Sequence, residues 1–271
     1  MKWCWVILFL VAALPLSAQE ICKISELLPD GMERGDLYYL ASEGDLRGVL
    51  VLCPGCNGNG AGFLQQKAWR KFARENGLGL AALSFASDVA LLEAGCGYYY
   101  ASQGSGNLLL GTLRRAYGRD LPIFLFGFSG GAHFTSRFVE ANPERVVAWC
   151  ADSAGWWDTP RKAAITPPGI VACGEDDPCY GASMIYFRQG RAVGKPWLWI
   201  SIPHLSHMES ASLEEFVRNY FSACARKDPD VGRWVDVDSG TIIPAGDEPA
   251  CLTGWIPDRN LIASWKRISS L

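Results

Sequence analysis

Histidine is scarce in this chain: there are three in 271 residues, and two of them, His204 and His207, stand almost side by side. A structural metal site of the Cys/His kind needs two spaced ligand groups, and no second group is present to partner Cys53-Pro-Gly-Cys56, so no metal is expected. An excess of one charge is also missing. The 25 basic and 28 acidic residues leave a net charge of -3, which argues against a nucleic-acid or anionic-membrane partner. Beyond the first residues no apolar run approaches the roughly 20 residues that cross a bilayer, and no internal repeat or low-complexity tract is visible. What is present is a globular composition, 49% hydrophobic and 20% charged, long enough for one domain with an ample core.

The beginning reads differently from the rest. Met1-Lys-Trp-Cys-Trp-Val-Ile-Leu-Phe-Leu-Val-Ala-Ala-Leu-Pro-Leu-Ser-Ala18 has one positive charge, a short apolar run and small residues before Gln19. This is the pattern of a cleaved secretory signal, so residues 1–18 are expected to be removed and the protein to be secreted or periplasmic. Ten cysteines suit an exported protein. Cys56, Cys96, Cys179, Cys224 and Cys251 fall in loops or near element ends and are the disulfide candidates, whereas Cys53, Cys150 and Cys173 lie in apolar strand-like runs.

From residue 36 onward strands and helices alternate. Asp36–Ala41 and Arg47–Cys53 read as two strands of a hairpin, Leu64–Asn76 as a helix with Leu64, Ala68, Trp69, Phe72 and Ala73 on its apolar stripe, and Leu78–Phe85 as a strand. A loop-like stretch over 86–106 and a helix over 107–117 precede Leu121-Pro-Ile-Phe-Leu-Phe-Gly-Phe-Ser-Gly-Gly-Ala-His133, an apolar run that breaks at Gly127-Phe-Ser-Gly-Gly131 and leads into a helix. Strands Val146–Ala151, Gly169–Cys173 and Trp197–Ile202 follow, then a helix opened by Ser212-Leu-Glu-Glu215. Such alternation predicts an α/β fold with a mostly parallel sheet. The tail from Lys227 suggests a small hairpin over 233–244 and a short helix over 261–268, and it carries no assigned function.

The G-x-S-x-G spacing has a steric reason. A serine lifted on a tight strand-to-helix turn requires neighbours at i-2 and i+2 without side chains. Ser129 is therefore the candidate nucleophile, with the backbone N–H of Gly130 free at the helix N-terminus for an oxyanion. The Pro54–Gly60 loop, rich in Gly and Asn, is the place for a second donor. Three acids, Glu175, Asp176 and Asp177, close the Gly169–Cys173 strand; Asp177 is chosen as the carboxylate that orients a histidine, with Asp176 the alternative. His207, just after the last central strand, is the candidate general base and His204 the alternative, while His133 reads as a packing residue. Trp156 and Trp157, with Tyr98, are candidate substrate contacts, packing beneath a loop being the other reading of the tryptophans.

The order Ser129, Asp177, His207, each just after a strand, resembles the α/β-hydrolase superfamily over about 36–225, and within it the secreted esterases related to polyhydroxyalkanoate depolymerases, feruloyl esterases and dienelactone-hydrolase-like enzymes. The short segment between the Val146–Ala151 and Gly169–Cys173 strands leaves no room for a large lid, so an α/β-hydrolase domain is expected over 19–226, with an extension over 227–271 that lies outside the resemblance. The resemblance implies hydrolysis of a small or polymeric ester through an acyl-enzyme without a cofactor, and no obligate protein partner is expected. It also assigns the second oxyanion donor to the N–H of Cys56, although Pro54-Gly55 stands where many relatives have His-Gly. A serine peptidase of the prolyl-oligopeptidase type and a non-catalytic binding protein on the same fold are the competing readings.

Overall fold

The computed structural model describes residues 20–41, 44–226, 232–244 and 252–270. The signal segment, with Cys4, and Cys251 lie outside the described residues, as do the expectations placed on them.

Two strands paired antiparallel come first, β1 (Ile21–Ile24) and β2 (Arg34–Leu40), followed by β3 (Gly48–Cys53), α1 (Lys67–Glu75) and β4 (Leu78–Ala86). After α2 (Val89–Glu93) and α3 (Ser105–Tyr117) come β5 (Ile123–Phe128), α4 (Gly130–Ala141), β6 (Val146–Asp152), β7 (Gly169–Gly174), α5 (Tyr180–Ala192), β8 (Trp197–Ile202) and α6 (Ala211–Ala225). These eight strands form one sheet in the order β1-β2-β4-β3-β5-β6-β7-β8, parallel from β4 through β8. The extension adds β9 (Arg233–Asp236), β10 (Ile242–Ile243), β11 (Thr253–Ile256) and α7 (Ile262–Ser269), with a small antiparallel sheet in the order β10-β9-β11.

Strands covered on both faces have no polar side to show, and β3, β4 and β7 are buried at every residue. Their period of two then divides the core in half. Val49, Val51, Leu83 and Leu125 face the layer of α3, α4 and α5, whereas Leu50, Leu52, Phe124 and Phe126 face α1, α6 and α7. The extension closes the second layer: Trp265 is fully buried and donates its indole N–H to the Trp199 carbonyl at 2.9 Å.

Four local expectations are corrected. The expected hairpin does not form, because β4 lies between β2 and β3 and β2 pairs with β4; apolar runs mark strands without naming their neighbours. Ala68 faces solvent, since a short 3-10 turn over Gly60–Gln65 resets the helical phase before α1 begins at Lys67. Helix α6 is capped by the Ser210 hydroxyl, which accepts the Leu213 N–H at 3.2 Å, rather than by Ser212. Helix α5 was not expected, its composition being glycine-containing and its apolar periodicity weak.

The strand order places a switch point between β3 and β5. The chain leaves β3 for β4 on one side and crosses back to β5 on the other, which opens a crevice at the carboxyl ends of β3 and β5. The Pro54–Gly60 loop and Ser129 stand at those two ends.

Candidate active site

The turn after β5 holds Ser129 at φ +52° and ψ -115°, a conformation that is costly for a residue with a Cβ. Its N–H donates to the Asp152 carbonyl at 2.8 Å, and its carbonyl accepts from Ala132 and His133, so both sides of the turn are fastened. The flanking glycines are sterically required. A methyl group on Gly127 would overlap the Gly131 carbonyl oxygen, and one on Gly131 the Cys53 carbonyl oxygen.

The Ser129 hydroxyl lies 2.9 Å from His207 Nε2, and His207 Nδ1 lies 2.8 Å from Asp177 Oδ2. The other carboxylate oxygen of Asp177 accepts the Cys179 N–H at 2.8 Å. Burial opposes ionisation of Asp177, but hydrogen bonds from the Cys179 N–H and from His207 help to outweigh it and hold the carboxyl below its ordinary value. A carboxylate kept ionised beside Nδ1 favours the tautomer whose Nε2 accepts a proton. The alternatives are elsewhere: Asp176 and His204 are both exposed, and neither enters this chain of hydrogen bonds.

Beside the serine, Gly130 and Cys56 come close together, since a methyl on Gly130 would lie 2.5 Å from the Cys56 amide nitrogen. Among the described residues neither N–H has a backbone acceptor. The loop holding Cys56 is braced from three directions. The Asn57 N–H donates to the Tyr98 hydroxyl at 3.1 Å, the Asn57 side chain exchanges hydrogen bonds with the Ser87 backbone, and Arg34 Nη2 donates to the carbonyls of Asn57 and Gly58 at 2.5 and 3.1 Å.

The aromatic residues are arranged otherwise than expected. Tyr98 is buried and supports this loop, so it offers no face to a substrate. Trp156 and Trp157 point to different places. Trp156 is exposed and packs on His133 with ring centroids 4.2 Å apart, beside Tyr99. Trp157 stacks on Tyr186 at 4.2 Å and lines a separate cleft of about 680 Å³ with Arg137 and Asp158. Tyr99 reaches toward Gly130, its hydroxyl 2.8 Å from where a Cβ would sit, a position that nothing in the Tyr98-Tyr-Tyr100 run singles out.

His133 is a packing residue, as expected. It is buried between Tyr99 and Trp156, and burial together with Arg137 lowers its pKa to about 3, which keeps it neutral. Asp152 is a buried acid that sequence reasoning missed. Burial pushes its pKa up to about 8; Oδ1 accepts from the Ser153 hydroxyl at 3.0 Å and Oδ2 has no partner.

All eight cysteines among the described residues are free thiols, so the disulfides expected of Cys56, Cys96, Cys179 and Cys224 do not form among them. Burial and the neighbouring Asp177 carboxylate raise the Cys179 thiol to about 12.

No protein-family model matches the sequence, and no curated protein does. Solved structures do match. One is FphF, a fluorophosphonate-binding serine hydrolase of Staphylococcus aureus, at 12% identity over 76% of this chain and 98% of that one, with a TM-score of 0.54. Another is poly(aspartic acid) hydrolase-1 from Sphingomonas sp. KT-1, at 18% identity over 74% and 98%, with a TM-score of 0.55. The S-formylglutathione hydrolase FrmB of Staphylococcus aureus matches at 13% identity over 77% and 100%, also with a TM-score of 0.55. The chain has the α/β-hydrolase fold.

Proposed function

We propose that the protein is an exported serine esterase that cleaves carboxylic esters through an acyl-enzyme. The observation that carries this reading is the continuous path Ser129 Oγ, His207 Nε2, His207 Nδ1, Asp177 Oδ2, with links of 2.9 and 2.8 Å.

In the reaction, Ser129 Oγ attacks the ester carbonyl while His207 takes its proton, and Asp177 stabilises the imidazolium that results. The negative charge on the former carbonyl oxygen falls to the N–H groups of Gly130 and Cys56. His207 returns the proton to the departing alcohol, and a water activated by the same imidazole then releases the acid. Trp156, exposed beside Tyr99, is the side chain assigned to the substrate. The signal-like residues 1–18 support export.

Replacing Ser129 with Ala tests the assignment directly. Turnover of a short-chain aryl ester should fall by about 10⁶-fold with the fold retained; a folded variant that kept its turnover would refute the esterase reading.

A further inference from the structure

Next to the path used for hydrolysis stands one thiol that the hydrolysis does not need, that of Cys179. Asp177, Cys179 and His207 each offer one ligand atom, and the three atoms lie within 4.8 Å of one another. The spacing is built into the backbone, because the Cys179 N–H donates to Asp177 Oδ1 at 2.8 Å and brings the cysteine to the carboxylate it follows by two positions. Tetrahedral coordination of an ion such as Zn²⁺ holds its nitrogen, oxygen and sulfur ligands about 3.5 Å apart, so only small side-chain adjustments separate this cluster from a ligand set. The cluster is reachable from solvent: the His207 side chain is 41% exposed and Cys179 is half-buried.

We propose that Asp177, Cys179 and His207 form an inhibitory site for a borderline-to-soft divalent cation, of the Zn²⁺ or Cd²⁺ class. The proposal rests on the esterase reading for its consequence, and on the geometry alone for the binding. One carboxylate, one thiolate and one neutral imidazole cancel the charge of a divalent ion, and an N/O/S set selects this class over Mg²⁺ or Ca²⁺, which take oxygen. The balance of protons is simple. The thiol proton leaves for solvent as the ion binds sulfur. The imidazole proton moves from Nδ1, now a ligand, to Nε2, with none gained or lost. An Nε2 that carries a proton and faces Ser129 Oγ at 2.9 Å cannot accept the serine's proton, so the bound ion silences the nucleophile without touching it.

The test titrates ZnCl₂ and, separately, CdCl₂ into the protein in chelator-free buffer, following bound ion by calorimetry and aryl-ester hydrolysis in parallel. It compares wild type with Cys179→Ser and Ser129→Ala. Wild type should bind one ion, lose activity in step with occupancy and recover on addition of EDTA. Cys179→Ser, whose backbone keeps the hydrogen bond to Asp177, should hydrolyse normally without metal, which shows that it folds, and need at least about tenfold more ion for the same inhibition. Ser129→Ala should bind the ion as wild type does. Binding that depends on Cys179 in a protein without esterase activity would support the site and defeat the esterase reading. No binding to wild type at millimolar ion, or inhibition of Cys179→Ser at the wild-type concentration, would overturn the proposal.

Discussion

The Asn57 N–H donates to the Tyr98 hydroxyl at 3.1 Å, so a buried tyrosine fixes the height of the loop that presents the Cys56 amide. Replacing Tyr98 with Phe removes that acceptor and keeps the ring. Loss of about 1 kcal/mol of positioning should lower kcat roughly three- to tenfold with little change in KM, because an oxyanion donor acts mainly in the transition state. Steady-state kinetics on an aryl ester decides the matter. An unchanged kcat would show that the Cys56 amide is placed without Tyr98 or plays no part.

Asp177 and Asp176 are adjacent in sequence but differ in environment: Asp177 is buried against His207, and Asp176 is exposed. Asp177→Asn should reduce kcat by about 10⁴-fold, because the amide favours the wrong imidazole tautomer. Asp176→Asn should leave kcat within a factor of about two, as expected of a surface change. Equal losses in the two variants would contradict the assignment.

Asp152 and His133 give stability opposite dependences on pH. Asp152 has its pKa raised from 3.8 to about 8, so the fold keeps a proton there that the unfolded chain releases, and stability falls as pH rises between those values. His133, lowered from 6.5 to about 3, makes stability fall as pH drops below 6.5. Between about pH 6.5 and 8 the His133 effect is absent and Asp152 contributes a slope of up to about 1.4 kcal/mol per pH unit. Asp152→Asn, which keeps the acceptor for the Ser153 hydroxyl, should flatten that interval in urea unfolding measured at several pH values. Parallel wild-type and variant curves would show that Asp152 is not the source.

The fold and the positions facing the crevice were legible in the sequence for identifiable reasons. A serine at φ +52° demands the glycines that surround it, and strands buried on both faces show unbroken apolar runs. Ser129, Asp177 and His207 were each nominated because each follows such a run. Strand partners were not legible, because β2 and β3 are close in sequence yet separated by β4, a choice made by long-range packing. The separation of Trp156 from Trp157 and of Tyr98 from Tyr99 depends on which way neighbouring residues turn in a loop, and loops have no period from which to read it. Asp152 was missed because the end of a strand normally meets solvent, whereas this one is covered by Ser153 and the β7 end.

Trp265 is fully buried against β8, and its indole N–H holds the Trp199 carbonyl at 2.9 Å. Trp265→Ala should cost about 3–5 kcal/mol in urea unfolding while the folded fraction keeps its kcat. A loss below about 1 kcal/mol would mean that the extension is an appendage to the core rather than part of it.

The central claim is an activated serine, and intact-mass labelling with a fluorophosphonate tests it most directly. Wild type should gain one phosphonyl group on Ser129, Ser129→Ala none, and His207→Ala a group only at a rate lower by several orders of magnitude. Folded wild-type protein that stays unlabelled, or labelling at an undiminished rate without His207, would contradict the account.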